Sequence, residues 1–304
     1  MNPALKELGF DAQDRVVIVH ADDIGMCQAT LPALADLLDA GVVSSAATMV
    51  PCAWFPEVAA FCRDHRAVDM GVHLTLTCEY RSYRWGPIST RDPASGLVDD
   101  EGYFHFGPAG VQAHATPEAV AGELLAQVER ARSAGIDITH LDSHQLSVLH
   151  PGFLPAYTRL AVDNRLPLML LRKDAAGWYA LAQGMGLAID WETAHLVAEK
   201  VYELEAMGIP LPDHAFMMPL DRPDDRVGLA SQALGGLPPG LTHLVLHPAV
   251  DTPELRAITA DWPCRVADYE AFTSRELRNY LHRSGVQVIG YRALRDPVRD
   301  REGG

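Results

Sequence analysis

Three short clusters of acids and histidines each close a hydrophobic run: Val17-Ile18-Val19-His20-Ala21-Asp22-Asp23, Met70-Gly71-Val72-His73-Leu74 and Ile138-Thr139-His140-Leu141-Asp142-Ser143-His144. Such apolar runs read as buried strands, and a strand end is a rigid mount for ligands. One carboxylate and two imidazoles from different strands can hold a divalent cation and leave positions open for water and substrate. The chemistry expected is hydrolysis. Successive strand side chains diverge, so Asp22 and Asp23 can divide the work, one binding the cation and the other accepting a proton from water. The bland alternative for this pair is a helix N-cap with a solvated neighbour.

Taken alone, His73 reads as a hydrogen-bonded core residue. Asp142 reads as a group that orients an imidazole or binds substrate, and His140 as buried packing or support for a ligand. Three such coincidences at strand ends argue for a site. A fourth run, Leu244-Val245-Leu246-His247-Pro248, ends in a histidine. With an ordinary pKa near 6.5, His247 is suited to protonating a leaving amine. Other catalytic patterns are missing: the chain has no GxSxG, HExxH or P-loop motif and no GxGxxG after a strand. Gly184-Met185-Gly186 lacks both a preceding strand and the third glycine.

The elements that must position these residues alternate along the chain. Strands are expected at 15–21, 44–50, 68–76, 136–141, 167–172, 242–247 and 286–291. Helices are expected at 27–40, 54–65, 116–134, 153–165, 190–207 and 267–284. This βα rhythm implies a parallel sheet with helical cover, either a barrel or an open doubly wound sheet, and with no interdomain linker in the sequence the chain is read as one domain spanning 1–304. Residues 78–113 are too long for a plain βα connection and read as an insertion that shapes the rim of a site; residues 174–236 are similar and read as a second lid or an oligomer contact, with a surface excursion as the plainer alternative. Trp85, Tyr103 and Trp178 within them are candidates for stacking against a sugar, with local packing as the plainer reading.

With 304 residues, 48% of them hydrophobic, the chain can bury a large core. A formal net charge of -15 argues against nucleic acid or an anionic membrane as partner. Five scattered cysteines without CxxC spacing suit a reducing, cytoplasmic interior. No stretch approaches the roughly 18 apolar residues of a membrane span, and Met1 to Asp14 lack the apolar core of a signal peptide.

Four segments taken together resemble the ordered motifs of the YdjC-like carbohydrate deacetylases, the family that includes chitooligosaccharide deacetylase. They are His20-Ala21-Asp22-Asp23-Ile24-Gly25, Gly71-Val72-His73-Leu74-Thr75-Leu76-Thr77, Thr139-His140-Leu141-Asp142-Ser143-His144 and His247-Pro248. The resemblance covers about residues 15 to 292. It implies an α/β fold, a deformed (β/α) barrel of the polysaccharide deacetylase type with long insertions. It further implies one divalent metal ion and removal of acetyl from an N-acetylated sugar; two imidazoles and a carboxylate favour zinc narrowly over magnesium. The alternatives are a metal-dependent hydrolase of another amide or ester and a non-catalytic sugar- or metal-binding protein. Carried over residue by residue, the resemblance makes Asp23, His73 and His144 the metal ligands, Asp22 the catalytic base and His247 the catalytic acid. Arg172 falls where the family often has an arginine near the catalytic acid, with a surface ion pair as its alternative. His140, Asp142 and Trp85 are expected to support the site or bind substrate. A homodimer is a family-level expectation. One departure stands out: better-known members continue with further histidines after the third motif, whereas this chain reads Gln145-Leu146-Ser147-Val148-Leu149-His150. That change bears on the identity of the substrate.

Overall fold

The computed structural model describes residues 1–185 and 189–300, so Gly186 of the glycine pair noted above lies outside the described residues. Among the described residues, seven strands form one parallel sheet: β1 (Arg15–Ile24), β2 (Ser45–Thr48), β3 (Met70–Leu74), β4 (Ile138–Ser143), β5 (His214–Met217), β6 (Gly240–Leu246) and β7 (Gln287–Val288). Their order is β4-β3-β2-β1-β6-β5, with the two-residue β7 also pairing β1. Each pair of neighbouring strands in the sheet runs parallel.

The ladder does not close into a regular barrel. The gap between β4 and β5 is spanned by residues 167–172, expected to be a strand. One bridge, Leu141 to Leu168, ties this segment to β4. On its other side, Leu168 N–H donates to the Pro210 carbonyl and Arg172 N–H to that of Pro212. Pro167, Pro210 and Pro212 cannot donate backbone hydrogen bonds, which keeps the seam irregular. The α/β class and a deformed barrel are thus what the chain adopts.

The two-residue period of a strand explains the layering. On β1, Val17, Val19 and Ala21 join the large core under the helices, together with Leu34 and Leu37 from the helix Thr30–Ala40. Val16 and Ile18 face the other way, against Leu5, Leu241, Tyr291 and Leu294, so the terminal helices Pro3–Glu7 and Tyr291–Asp300 plug one end of the sheet's inner face. The next residues of that inner register, His20 and Asp22, are polar and buried. A layer of rings therefore lies above the plug. His20 sits 4.9 Å from His140 and 4.7 Å from His243 between centroids, while His140 stacks on Tyr291 at 3.9 Å. Gly71 makes room for this layer, since a Cβ there would stand 2.4 Å from the His140 ring.

Residues 78–113 contain little regular structure beyond a short helix, Pro108–His114, and an antiparallel bridge between Val98 and Phe104. The segment 174–236 carries β5 and the helices Ala175–Met185, Trp191–Ala206 and Arg226–Gly235. The single helix expected over 267–284 is two, Trp262–Thr273 and Arg275–Ser284, because the Ser274 side chain accepts from Leu277 N–H and caps a new start.

Candidate active site

Asp22, Asp23, His73, His144 and His247 converge on one cavity of about 780 Å³ at the C-terminal ends of the strands. The two aspartates do not diverge as a regular strand would require. Asp23 takes φ 61°, a left-handed conformation uncommon for a residue other than glycine, and the β1–β2 register shifts between Ala21 and Ile24. This bulge brings both carboxylates to the same imidazole: His73 Nε2 stands 3.5 Å from Asp23 Oδ1 and 3.9 Å from Asp22 Oδ2. Gly25, at φ 88°, completes the turn.

Asp23, His73 and His144 form a triad whose candidate donor atoms all lie within 4.8 Å of one another. Asp23 Oδ1 is 3.2 Å from His144 Nδ1, is buried, and has no hydrogen-bond partner. An orphaned carboxylate oxygen between two imidazole nitrogens fits a divalent cation. The far side of each ring also fits. His73 Nδ1 lies 3.0 Å from Asp142 Oδ1, and His144 Nε2 lies 3.0 Å from Glu79 Oε2. The hydrogen bond to Glu79 fixes which nitrogen of His144 faces the cation, while Asp142 acts on His73 as a neighbouring charge, His73 Nδ1 and Asp142 Oδ1 having no hydrogen-bond partner; either carboxylate raises the basicity of its ring. Arg265 Nη1 donates to Asp23 Oδ2 at 2.9 Å and so leaves Oδ1 free; Asp261 holds its Nε, also at 2.9 Å.

The electrostatics point the same way. Burial works against charge on every group here, but the Asp142 and Asp22 carboxylates raise the His73 pKa, and Glu79 and Asp23 raise that of His144 well above its ordinary value. Against burial, Arg265 and His144 hold Asp23 well below the usual carboxylate range. His73 and His20 hold Asp22 low. Hydrogen bonding to Asp142 and Asp22 overcomes burial of His20 and lifts it to about 9. Five carboxylates, Asp22, Asp23, Glu79, Asp142 and Asp261, line the cavity beside a single arginine, Arg265, an excess that a cation would balance.

His20 Nε2 bridges Asp22 Oδ1 at 2.9 Å and Asp142 Oδ2 at 3.1 Å, which holds Asp22 in place. His247 Nε2 stands 3.9 Å from Asp22 Oδ2, and burial lowers its pKa, favouring the neutral ring. Its backbone N–H donates to Asp268 Oδ2 at 3.1 Å, and Arg226 Nε fixes Asp268 at 2.6 Å.

Four of the other sequence candidates, Arg172, Trp85, Tyr103 and His140, lie away from the cavity lining. Arg172 donates to Glu205 and Asp213, the latter at 2.5 Å, and makes the ion pair that was its alternative reading. Trp85 is buried within the 78–113 segment, with its indole N–H donating to the Thr77 carbonyl at 2.9 Å. Tyr103 packs over Arg84. His140 lies in the ring layer, its pKa well lowered by burial and by His20. Trp178 does line the cavity. Sequence reasoning missed Arg265, Glu79, Asp268 and Arg226, and noted His20 without giving it a task.

The model of the YdjC-like protein family matches residues 16–283. The chain belongs to this family. A relative from Thermus thermophilus named carbohydrate deacetylase is 34% identical, over 97% of this chain and 98% of its own. Another of that name, from Thermoanaerobacter pseudethanolicus, is 23% identical over 92% of this chain and 100% of its own. The YdjC-like fold recurs in a crystal structure from Enterococcus faecalis described as a cellobiose-phosphate cleavage protein. Its TM-score is 0.72, at 22% identity, over 93% of this chain and 99% of that one. Among the described residues, no helix is long and apolar enough to cross a membrane.

Proposed function

We propose that this YdjC-like protein is a metal-dependent hydrolase that removes the acetyl group from an N-acetylated sugar, giving acetate and a free amine. The observation that carries the reading is the orphaned Asp23 Oδ1 between His73 Nε2 and His144 Nδ1, beside a second carboxylate and a neutral histidine. The names of full-length relatives support the substrate class.

Asp23, His73 and His144 would hold the cation, which we assign as zinc ahead of magnesium because two imidazoles and one carboxylate suit it. When bound, it supplies a Lewis acid that polarises the acetyl carbonyl and acidifies a water. Asp22 Oδ2 is the base: its other oxygen is held by His20, so the free one accepts the proton of the attacking water. His247 is the acid that delivers a proton to the departing nitrogen. Its neutral resting state and its position beside Asp22 let it take up that proton from the base before passing it on. Glu79 holds the imidazole of His144 in orientation, and Asp142 raises the basicity of His73. No covalent attachment to the protein is required. Five free, buried cysteines accord with action in the cytoplasm.

The test is acetate release from N-acetylglucosamine, N,N′-diacetylchitobiose, an acetylated peptide and an acetyl ester, before and after chelation and after zinc or magnesium is returned. Chelator-sensitive release from the sugars is expected. Release from the peptide or ester alone, or insensitivity to chelation, would overturn the reading.

A further inference from the structure

The cavity is unlike a binding cleft for a polar oligosaccharide. Away from the carboxylates and imidazoles its wall includes Leu146, Leu149, Leu170, Trp178, Phe216 and Met217, from the turn after β4, the 167–172 seam, the helix Ala175–Met185 and β5. Met217 is 51% exposed, so the fold itself leaves apolar surface uncovered there. Sugar hydroxyls need donors and acceptors; Tyr80, Ser143 and Thr259 supply them elsewhere in the lining, whereas the stretch 145–149, the seam, the helix and β5 offer the side chain of Gln145 and the indole N–H of Trp178, buried without a partner. A volume of about 780 Å³ leaves room beyond a single acetamido group.

The altered stretch after His144 contributes directly. Gln145 and Leu146 both adopt left-handed conformations, φ 52° and 51°, and both line the cavity with Leu149. Strain at two successive non-glycine residues persists where surrounding packing demands it, and here it presents leucines to the space beside a metal-ligand candidate.

We infer that the substrate carries an apolar group, alkyl or aryl, that lies along this wall while its N-acyl amide is held over Asp22 and Asp23. The inference rests on the hydrolase function proposed above. An amphipathic N-acylated amino sugar satisfies both parts of the cavity; a free chitooligosaccharide satisfies one. Its apolar group can be a substituent on the sugar or the acyl chain itself.

Two substrate series separate those sources. The zinc-loaded protein is assayed for carboxylic acid release from methyl to pentyl β-glycosides of N-acetylglucosamine, and from N-acetyl to N-hexanoyl glucosamine, with N,N′-diacetylchitobiose as the polar reference. Each buried methylene stabilises by about 0.8 kcal/mol, or about fourfold, so kcat/KM is expected to rise on the order of 100-fold across the series whose chain meets the wall. The slope is read as a ratio within one protein, which removes differences in folded fraction. Leu149→Ser and Phe216→Ser are expected to flatten it. A flat response in both series with chitobiose hydrolysed overturns the apolar group and leaves the deacetylase. No release from any substrate overturns the proposed function itself. An unchanged slope in both variants would move the apolar group off this wall.

Discussion

Glu79 gives the sharpest test of how the site is built. Its Oε2 lies 3.0 Å from His144 Nε2, while the same ring turns Nδ1 toward Asp23 Oδ1 at 3.2 Å. Replacing Glu79 by Gln keeps an acceptor of similar shape but exchanges a charge-assisted hydrogen bond for a neutral one, about half as strong. With charged hydrogen bonds contributing about 1.5–3 kcal/mol and neutral ones about 0.5–1.5, the loss is about 1.5 kcal/mol. That weakens metal binding on the order of 10-fold, at the lower end of the roughly 10–100-fold effect of such supporting carboxylates. The assay is the zinc dissociation constant by competition with a chromogenic chelator, with His144→Ala as the reference for a lost ligand. If Glu79→Gln bound zinc as tightly as the wild type while His144→Ala did not, the claim that Glu79 sets the ring's orientation and basicity would be refuted. Equal binding by all three proteins would remove His144 from the ligand set.

Asp22→Asn is expected to retain bound zinc in elemental analysis while lowering turnover roughly 10²–10⁴-fold, the usual effect of losing a positioned base; wild-type turnover would end that assignment. Asp137 supplies a pH-dependent prediction at the opposite end of the sheet, where it meets Arg292, Arg295 and Arg299 of the last helix. Burial raises its pKa, but hydrogen bonds from Arg292 and Arg295 outweigh that and lower it. A depressed carboxylate stabilises the fold above its unfolded pKa of about 3.9 and loses that contribution as pH falls through the folded value. Asp137→Asn should therefore cost about 1 kcal/mol in urea unfolding at pH 7, a figure moderated by the half-exposed setting. The gap from wild type should narrow below about pH 4, and a gap that widened there would contradict the sign.

Strand ends were legible wherever an apolar run carried its own polar terminus, which is why Asp22, Asp23, His73, His144 and His247 could be picked out together. The bulge at Asp23 was not, because a left-handed residue leaves no mark in a run of Asp-Asp-Ile-Gly except the glycine that follows. Arg265 was hidden for a different reason: it lies inside a helix, where an arginine four residues after Asp261 reads as an ordinary surface pair. Glu79 sits in an irregular loop six residues beyond His73, so no periodicity points to it. The short β5, His-Ala-Phe-Met, lacks the β-branched run that marks a buried strand, and it lies half uncovered because one of its sides faces the cavity. Arg172 was misplaced since the end of 167–172 turns toward Asp213 instead of toward the strand tips.

The incomplete seam at 167–172 sets a division of labour across the sheet. The proposed ligands and base come from β1, β3 and the turn directly after β4, on strands tied together by parallel ladders through β2, whereas much of the apolar wall comes from the seam and from β5 beyond it. Side chains along the seam can change size without disturbing a ladder bond that positions Asp23 or His73. Selection can thus retune which molecule enters while the groups that act on its amide stay in register.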